Sequence, residues 1–142
     1  MQFQVNSISS FKPKCKIIMI QAASILGYNK AAVIKNFPNH QINIIPDPLN
    51  SDKELMEIRL KDVTVTYIIN NQNICCSGYL FLDDISHLDR YLNVCNKYFK
   101  TAAQASWKYK NCYIELLKEG ADSYFLFSNS LQPFQHKQHR EH

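Results

Sequence analysis

The chain has 142 residues, the size of one domain, and its 46% hydrophobic and 20% charged residues are ordinary for a globular protein. The net charge of +4 divides into a basic block (residues 1–46), an acidic block (47–89, with eight acids against three bases) and a second basic block (90–142). Charged patches of both signs favour a macromolecular partner. The longest apolar stretch is too short to cross a bilayer, and three isolated glycines exclude phosphate and dinucleotide loops.

The first third of the chain is predicted to be mostly helical. Residues 1–11 are interpreted as a short strand or an ordered arm. Residues 17–37 are rich in alanine, and the "GYN" sequence at 27–29 is expected to divide them into two helices. Residues 41–49 form an extended run that contains two prolines, which fits an edge strand or a loop.

The centre of the chain predicts a β-hairpin followed by a helix. Residues 63–69 alternate apolar and polar side chains, "NNQN" at 70–73 has strong turn chemistry, and residues 74–82 return as the second strand. An apolar repeat at steps of three and four then predicts an amphipathic helix that ends between residues 100 and 105. Asp83 or Asp84 occupies the position of its N-cap.

The remainder predicts a second hairpin and a tail. Residues 106–117 are interpreted as one strand, residues 118–122 as a turn and residues 123–127 as the returning strand. The expected fold class is α+β: an antiparallel sheet of two hairpins, one amphipathic helix between them, and one or two N-terminal helices on one face. Residues 1–130 form the single domain, and residues 131–142 a flexible polar tail that contains histidines.

The cysteines predict a reducing compartment and therefore a cytoplasmic protein. Their number, five, is odd, and their spacing does not resemble a disulfide framework. Cys15, between two lysines, is the most reactive candidate, but the positioned histidine that thiol catalysis needs is not evident. We therefore expect no enzyme activity and no cofactor.

Two clusters could suggest a metal site, and each has a simpler interpretation. Asp83, Asp84 and His87 lie at a strand-to-helix junction, where carboxylates cap the free amides of a helix. In the tail, His136, His139 and His142 would share one face only if the tail were helical. We expect no metal site at either place.

A nucleic-acid interface is the alternative function. Trp107 and Tyr109, followed by Tyr113, are predicted to alternate onto one strand face, with Lys108 and Lys110 beside them. Aromatic rings and lysines on a sheet are what single-stranded RNA or DNA needs for stacking and phosphate contact. The same alternation also fits aromatic residues in a core with lysines facing solvent.

Residues 63–99 resemble small bacterial immunity proteins, which neutralise a toxin delivered by a competing cell. Many of these proteins carry a hairpin that ends in glycine, an aromatic residue, a hydrophobic residue and an aspartate before an amphipathic helix. Here Gly78, Tyr79, Leu80 and Asp83–Asp84 match that pattern over about a quarter of the chain. The helix-then-strand order is also similar to α+β secretion chaperones, which gives an adaptor as a third possibility.

The leading hypothesis is a non-catalytic cytoplasmic module that binds another protein. The resemblance to immunity proteins implies a toxin or effector as the partner and occlusion as the mechanism. The acidic middle block would meet a basic surface of that partner through Asp47, Asp52, Glu54 and Glu57.

Overall fold

Eight antiparallel strands form one sheet in the computed structural model, which describes residues 11–130, with side chains from residue 14 onward. The strands are β1 (Gln41–Asp47), β2 (Asn50–Arg59), β3 (Val63–Ile69), β4 (Cys75–Leu82), β5 (Lys100–Ala103), β6 (Ser106–Tyr109), β7 (Cys112–Glu119) and β8 (Asp122–Ser128). The helices are α1 (Phe11–Ser24), α2 (Lys30–Lys35) and α3 (Leu88–Tyr98), and a 3-10 turn, Ile85–His87, precedes α3. The predicted α+β class is confirmed.

The sheet consists of two four-stranded meanders joined in the middle. The strand order is β1-β2-β3-β4-β8-β7-β6-β5, so β4 pairs with β8 although α3 and three strands separate them in the chain. Strands β1 and β5 are the two edges. The two hairpins predicted from the sequence are the inner pairs of this sheet, and each is extended outward by two further strands.

One face of the sheet packs against the helices. Val63, Val65, Tyr67 and Ile69 of β3 are all fully buried, whereas the threonines between them are half-buried on the opposite face. This is the alternation expected of a strand with one covered face. Helices α1 and α3 pack against each other over this face.

Tyr67 connects the centre of the sheet to α1. Its hydroxyl donates a hydrogen bond to the carbonyl oxygen of Ala22 at 3.0 Å. Its ring lies over Gly78, its neighbour on β4, where an added Cβ would be 2.8 Å from the Tyr67 Cδ1 atom. The glycine is therefore required by the close approach of the ring.

The predicted helix break at residues 27–29 and the predicted turn at residues 70–73 are confirmed, and specific side chains stabilise both. Gly27 has a positive φ of 92° between α1 and α2, and the Asn29 side chain caps α2 by accepting from the Ala32 amide at 2.8 Å. In the β3–β4 turn, the Asn70 side chain accepts from the amides of Gln72 and Ile74 at 2.9 and 3.1 Å.

Two predictions of secondary structure were wrong. The helix α3 ends at Tyr98, because the chain turns at once into the short edge strand β5. Residues 106–117 are not one strand, because Lys110 adopts a left-handed φ of 53° and starts a tight turn between β6 and β7. This turn reverses the chain and changes which side chains share a face.

Two predictions lie outside the described residues. These are the strand or arm at the N-terminus, which falls on residues 1–10 apart from its last residue, and the polar tail with its three histidines, residues 131–142. None of the helices in the described part of the chain is both long and apolar enough to span a membrane.

Replacing Gly78 by alanine should lower the free energy of unfolding by about 1–3 kcal/mol, since the new methyl group overpacks against the buried ring of Tyr67. The penalty should fall in a Tyr67→Val background, where the ring is gone. Chemical denaturation of the two single variants and the double variant measures this coupling. Ser77→Ala, on the opposite face of the same strand, is the control, and equal costs of Gly78→Ala in both backgrounds would contradict the explanation.

Candidate functional site

The β1–β2 hairpin exposes large apolar side chains at the free edge of the sheet. Leu49 at its tip is 95% exposed, Ile45 is 50% exposed and Ile44 is 37% exposed. Ile44 and Ile45 are adjacent in an extended strand, so they point to opposite faces of it. The hairpin therefore presents apolar surface on both faces as well as at its tip.

Side-chain hydrogen bonds shape the tip of this hairpin. The Asp47 carboxylate accepts from the Leu49 amide at 2.9 Å, and the Asn50 side chain accepts from the Asp52 amide at 3.1 Å. The pairing between β1 and β2 shifts register after Pro46, which leaves residues 51–53 without partners on β1. These contacts order the turn that carries the exposed Leu49, and Asp47 and Asp52 lie on either side of this residue in the chain.

The four acidic residues predicted to bind a partner do not share one surface. Asp47 and Asp52 lie at the hairpin tip, as described above. Glu54 lies on the helix-covered face, where the Lys30 ammonium donates to its carboxylate at 2.9 Å. Glu57 is exposed on the opposite face, next to Thr66. Asp47 and Asp52 lie beside Leu49 in the chain, whereas Glu57 shares its face of the sheet with Ile45.

The predicted aromatic–lysine face is not a stacking surface. Trp107 is 5% exposed and faces α3, where its indole N–H donates to the Asn96 side chain at 3.0 Å. Tyr109 packs on Phe99, with ring centroids 5.4 Å apart. The alternation prediction was wrong at this point because the turn at Lys110 puts the next aromatic residue on the other face.

The two lysines of that prediction are separated from each other. Lys108 lies on the face of β6 opposite to Trp107, with its ammonium 5.2 Å from the ring centroid of Tyr113. Lys110 lies in the turn, 5.4 Å from the ring of Tyr109. The structure thus brings none of the four residues into a joint platform of exposed rings and cations.

The β4–α3 junction is a capping structure. Asp84 accepts a hydrogen bond from the Ser86 amide at 2.9 Å, and this bond holds the pKa of the Asp84 carboxyl below its usual value. His87 Nε2 is 3.9 Å from Asp84 Oδ2. Within residues 11–130, no group of three or more His, Cys, Asp or Glu side chains is arranged to hold a metal ion.

The cysteines divide into two groups by burial. Cys75, Cys95 and Cys112 are buried, and desolvation raises the pKa of each thiol to about 12. Cys15 and Cys76 are half-buried. Because the thiolate is the reactive species, burial and the raised pKa make the thiols of the first group unreactive near neutral pH.

Comparison with known proteins yields no match to a family model, a curated protein or a solved structure. The hairpin is therefore identified as the candidate site from the exposure and position of its side chains. Sequence reasoning found the acidic residues of the hairpin but missed Ile44, Ile45 and Leu49. The available signal was an isoleucine pair inside a run that its prolines already marked as an edge strand.

Alkylation with iodoacetamide at pH 8 should modify Cys15 and Cys76 well before Cys75, Cys95 and Cys112. A thiol with a pKa of about 12 is almost entirely protonated at that pH, so its rate should rise about tenfold for each unit of pH toward 12. Peptide mass spectrometry over time gives the order of reaction. The urea-unfolded chain is the control, and modification of Cys95 as fast as Cys15 in the folded protein would refute the expected order.

Proposed function

We propose that this protein is a non-catalytic protein-binding module that engages its partner through the β1–β2 hairpin. The observation that carries the proposal is the nearly complete exposure of Leu49 beside two exposed isoleucines at the sheet edge. Single exposed apolar residues are common, whereas a group of three on one projecting element is typical of an interaction surface.

Burial of these apolar side chains by a partner would stabilise the complex. Covering a leucine or isoleucine side chain fully contributes about 1.5–3 kcal/mol relative to leaving it in water. Leu49 at the tip, together with the isoleucine on the face that the partner covers, supplies the apolar centre of an interface. Polar residues around them, such as Asp52 and Asn50, supply its rim.

The free edge of β1 offers a second mode of contact. Strand β1 pairs with β2 on one side, and none of the described strands pairs with its other side. An extended segment of a partner can add to such an edge through main-chain hydrogen bonds. Pro46 lacks an amide donor, so this pairing would extend over residues 41–45 and end before the tip.

Charge indicates the kind of partner. Asp47 and Asp52 flank the apolar tip, and they belong to the most acidic block of the chain. A basic partner surface would be attracted to this region, and complementary charge speeds encounter more than it raises affinity. The resemblance to immunity proteins suggests a toxin or effector as that partner and occlusion in the cytoplasm as the mechanism.

A pull-down from the source cell lysate, run with and without nuclease, should recover a protein partner in both cases with the wild-type chain and lose it with Leu49→Asp/Ile45→Asp. Burying two introduced carboxylates in an apolar contact is strongly unfavourable. Ile17→Asp is the matched control, because Ile17 is 61% exposed on α1, away from the hairpin. Equal recovery with all three proteins would refute the hairpin interface, and recovery only of nuclease-sensitive nucleic acid would refute protein binding.

Reversing the charges at the hairpin tip should show whether they speed the encounter with the partner through long-range attraction. Asp47→Lys/Asp52→Lys should slow association at low salt by roughly tenfold and have a smaller effect at high salt, since screening weakens long-range attraction. Glu54 is left unchanged in this design because it pairs with Lys30. Asp89→Lys/Asp122→Lys, two exposed aspartates elsewhere, is the charge-matched control for stopped-flow or surface-plasmon measurements. An association rate that is the same for all proteins would show that the hairpin charges do not guide binding.

A further inference from the structure

A cleft of about 360 Å³ opens where α1, the β2–β3 loop and the start of α3 meet. The loop is fixed in place because the Asp83 amide donates to the carbonyl oxygen of Asp62 at 3.1 Å. The cleft is separate from the β1–β2 hairpin, and none of its lining residues belongs to the hairpin tip.

The floor and the rim of this cleft differ in chemistry. Ile18, Leu60 and Tyr91 form an apolar floor, and all three are buried or half-buried. Lys14, Lys61 and Arg90 lie on the rim and are exposed. An apolar floor below cationic side chains is the arrangement that a binding site for an amphipathic anion requires.

The charge balance of the lining residues is positive. Two lysines and one arginine line the cleft with one carboxylate, that of Asp62, and the imidazoles of His40 and His87 also line it. An anionic group placed among these cations is attracted by all three of them. The Arg90 guanidinium can in addition offer two parallel N–H donors to a phosphate or carboxylate.

We propose that this cleft binds a small molecule that has an apolar body and a phosphate or carboxylate group. The apolar body lies against Ile18, Leu60 and Tyr91, and the anionic group contacts Lys61, Arg90 and Lys14. The volume lies within the range of about 300–1,000 Å³ that is usual for small-molecule sites. This inference is independent of the proposed protein-binding hairpin.

Tyr91 and Cys15 also line the cleft with polar groups, and their side chains are hydrogen-bonded to each other. Burial, followed by the charge of the nearby Cys15 thiol, raises the pKa of the Tyr91 hydroxyl. Cys15 lines the same cleft and is half-buried. The thiol therefore reports occupancy, because a bound molecule would shield it from alkylating reagents.

Phenyl phosphate is the probe that combines both required chemistries. Titrated to about 10 mM, where millimolar binding is still measurable, it should shift the backbone amide signals of residues 60–62 and 87–91 in the full-length ¹⁵N-labelled chain. Inorganic phosphate and phenol, which each carry half of the chemistry, should bind more weakly. Benzoate in place of phenyl phosphate shows whether the site prefers a carboxylate.

Removal of the rim cations should weaken this binding selectively. Lys61→Gln/Arg90→Gln should raise the Kd for phenyl phosphate by roughly five- to tenfold, because exposed charge contacts each contribute modestly. Lys100→Gln/Lys118→Gln removes two exposed lysines outside the cleft and should leave the Kd unchanged. Phenyl phosphate should also slow the alkylation of Cys15 but not that of Cys76.

Three results would overturn the proposal. One is the absence of amide shifts at the cleft with both phenyl phosphate and benzoate. Another is an equal loss of affinity in the two double variants, which would indicate attraction by net charge alone. The third is binding of phenol as tight as that of phenyl phosphate, since the rim cations would then have no role.

Discussion

A single row of buried side chains across the sheet supports the rest of the structure. Neighbouring strands place one residue each in this row, and all lie on the helix-covered face: Met56, Tyr67, Gly78, Phe127, Ile114 and Trp107. The row crosses the β4–β8 pairing, which joins the two halves of the sheet. Each half consists of four strands that are consecutive in the chain. A close fit of the Tyr67 ring over Gly78 at its centre lets the tyrosine reach α1. Interiors are close-packed, so a change of one methyl group at this point affects both layers.

The position of the exposed hairpin follows from this arrangement. The buried row begins at Met56 on β2, and the strand outside it, β1, carries Ile44 opposite Met56 with much of its surface still in water. Ile42 of β1 still packs against the core, but the exposed surface of Ile44 and Ile45 is not explained by core packing. The edge of a sheet is also where backbone groups lack partners, so apolar surface and unpaired main chain coincide in one element.

Residues of one charged block of the sequence lie in different environments in the folded domain. Part of the acidic block is neutralised internally, as in the Lys30–Glu54 pair that ties α2 to β2. Part of it remains at the hairpin tip, where Asp47 and Asp52 flank Leu49. Lys14 from the first basic block, Lys61 from the acidic block and Arg90 from the last block meet at the cleft beside α1. Two surfaces of opposite character thus arise in one small domain, one suited to a basic protein and one to a small anion.

The sequence by itself determined the local elements: the inner hairpins, the N-terminal helical region with its break at residues 27–29, an aspartate cap at Asp83 or Asp84, and the α+β class. These depend on alternation, helical period and turn chemistry, which act over a few residues. Only the tertiary structure decided that Trp107 faces α3, because this depends on which face of the sheet the helix covers. It likewise decided that Tyr113 lies on the other face, because the left-handed conformation of Lys110 turns the chain between them. It also decided which acids remain exposed and which cations surround Cys15. Those properties depend on contacts between segments far apart in the chain, and no local pattern encodes such contacts.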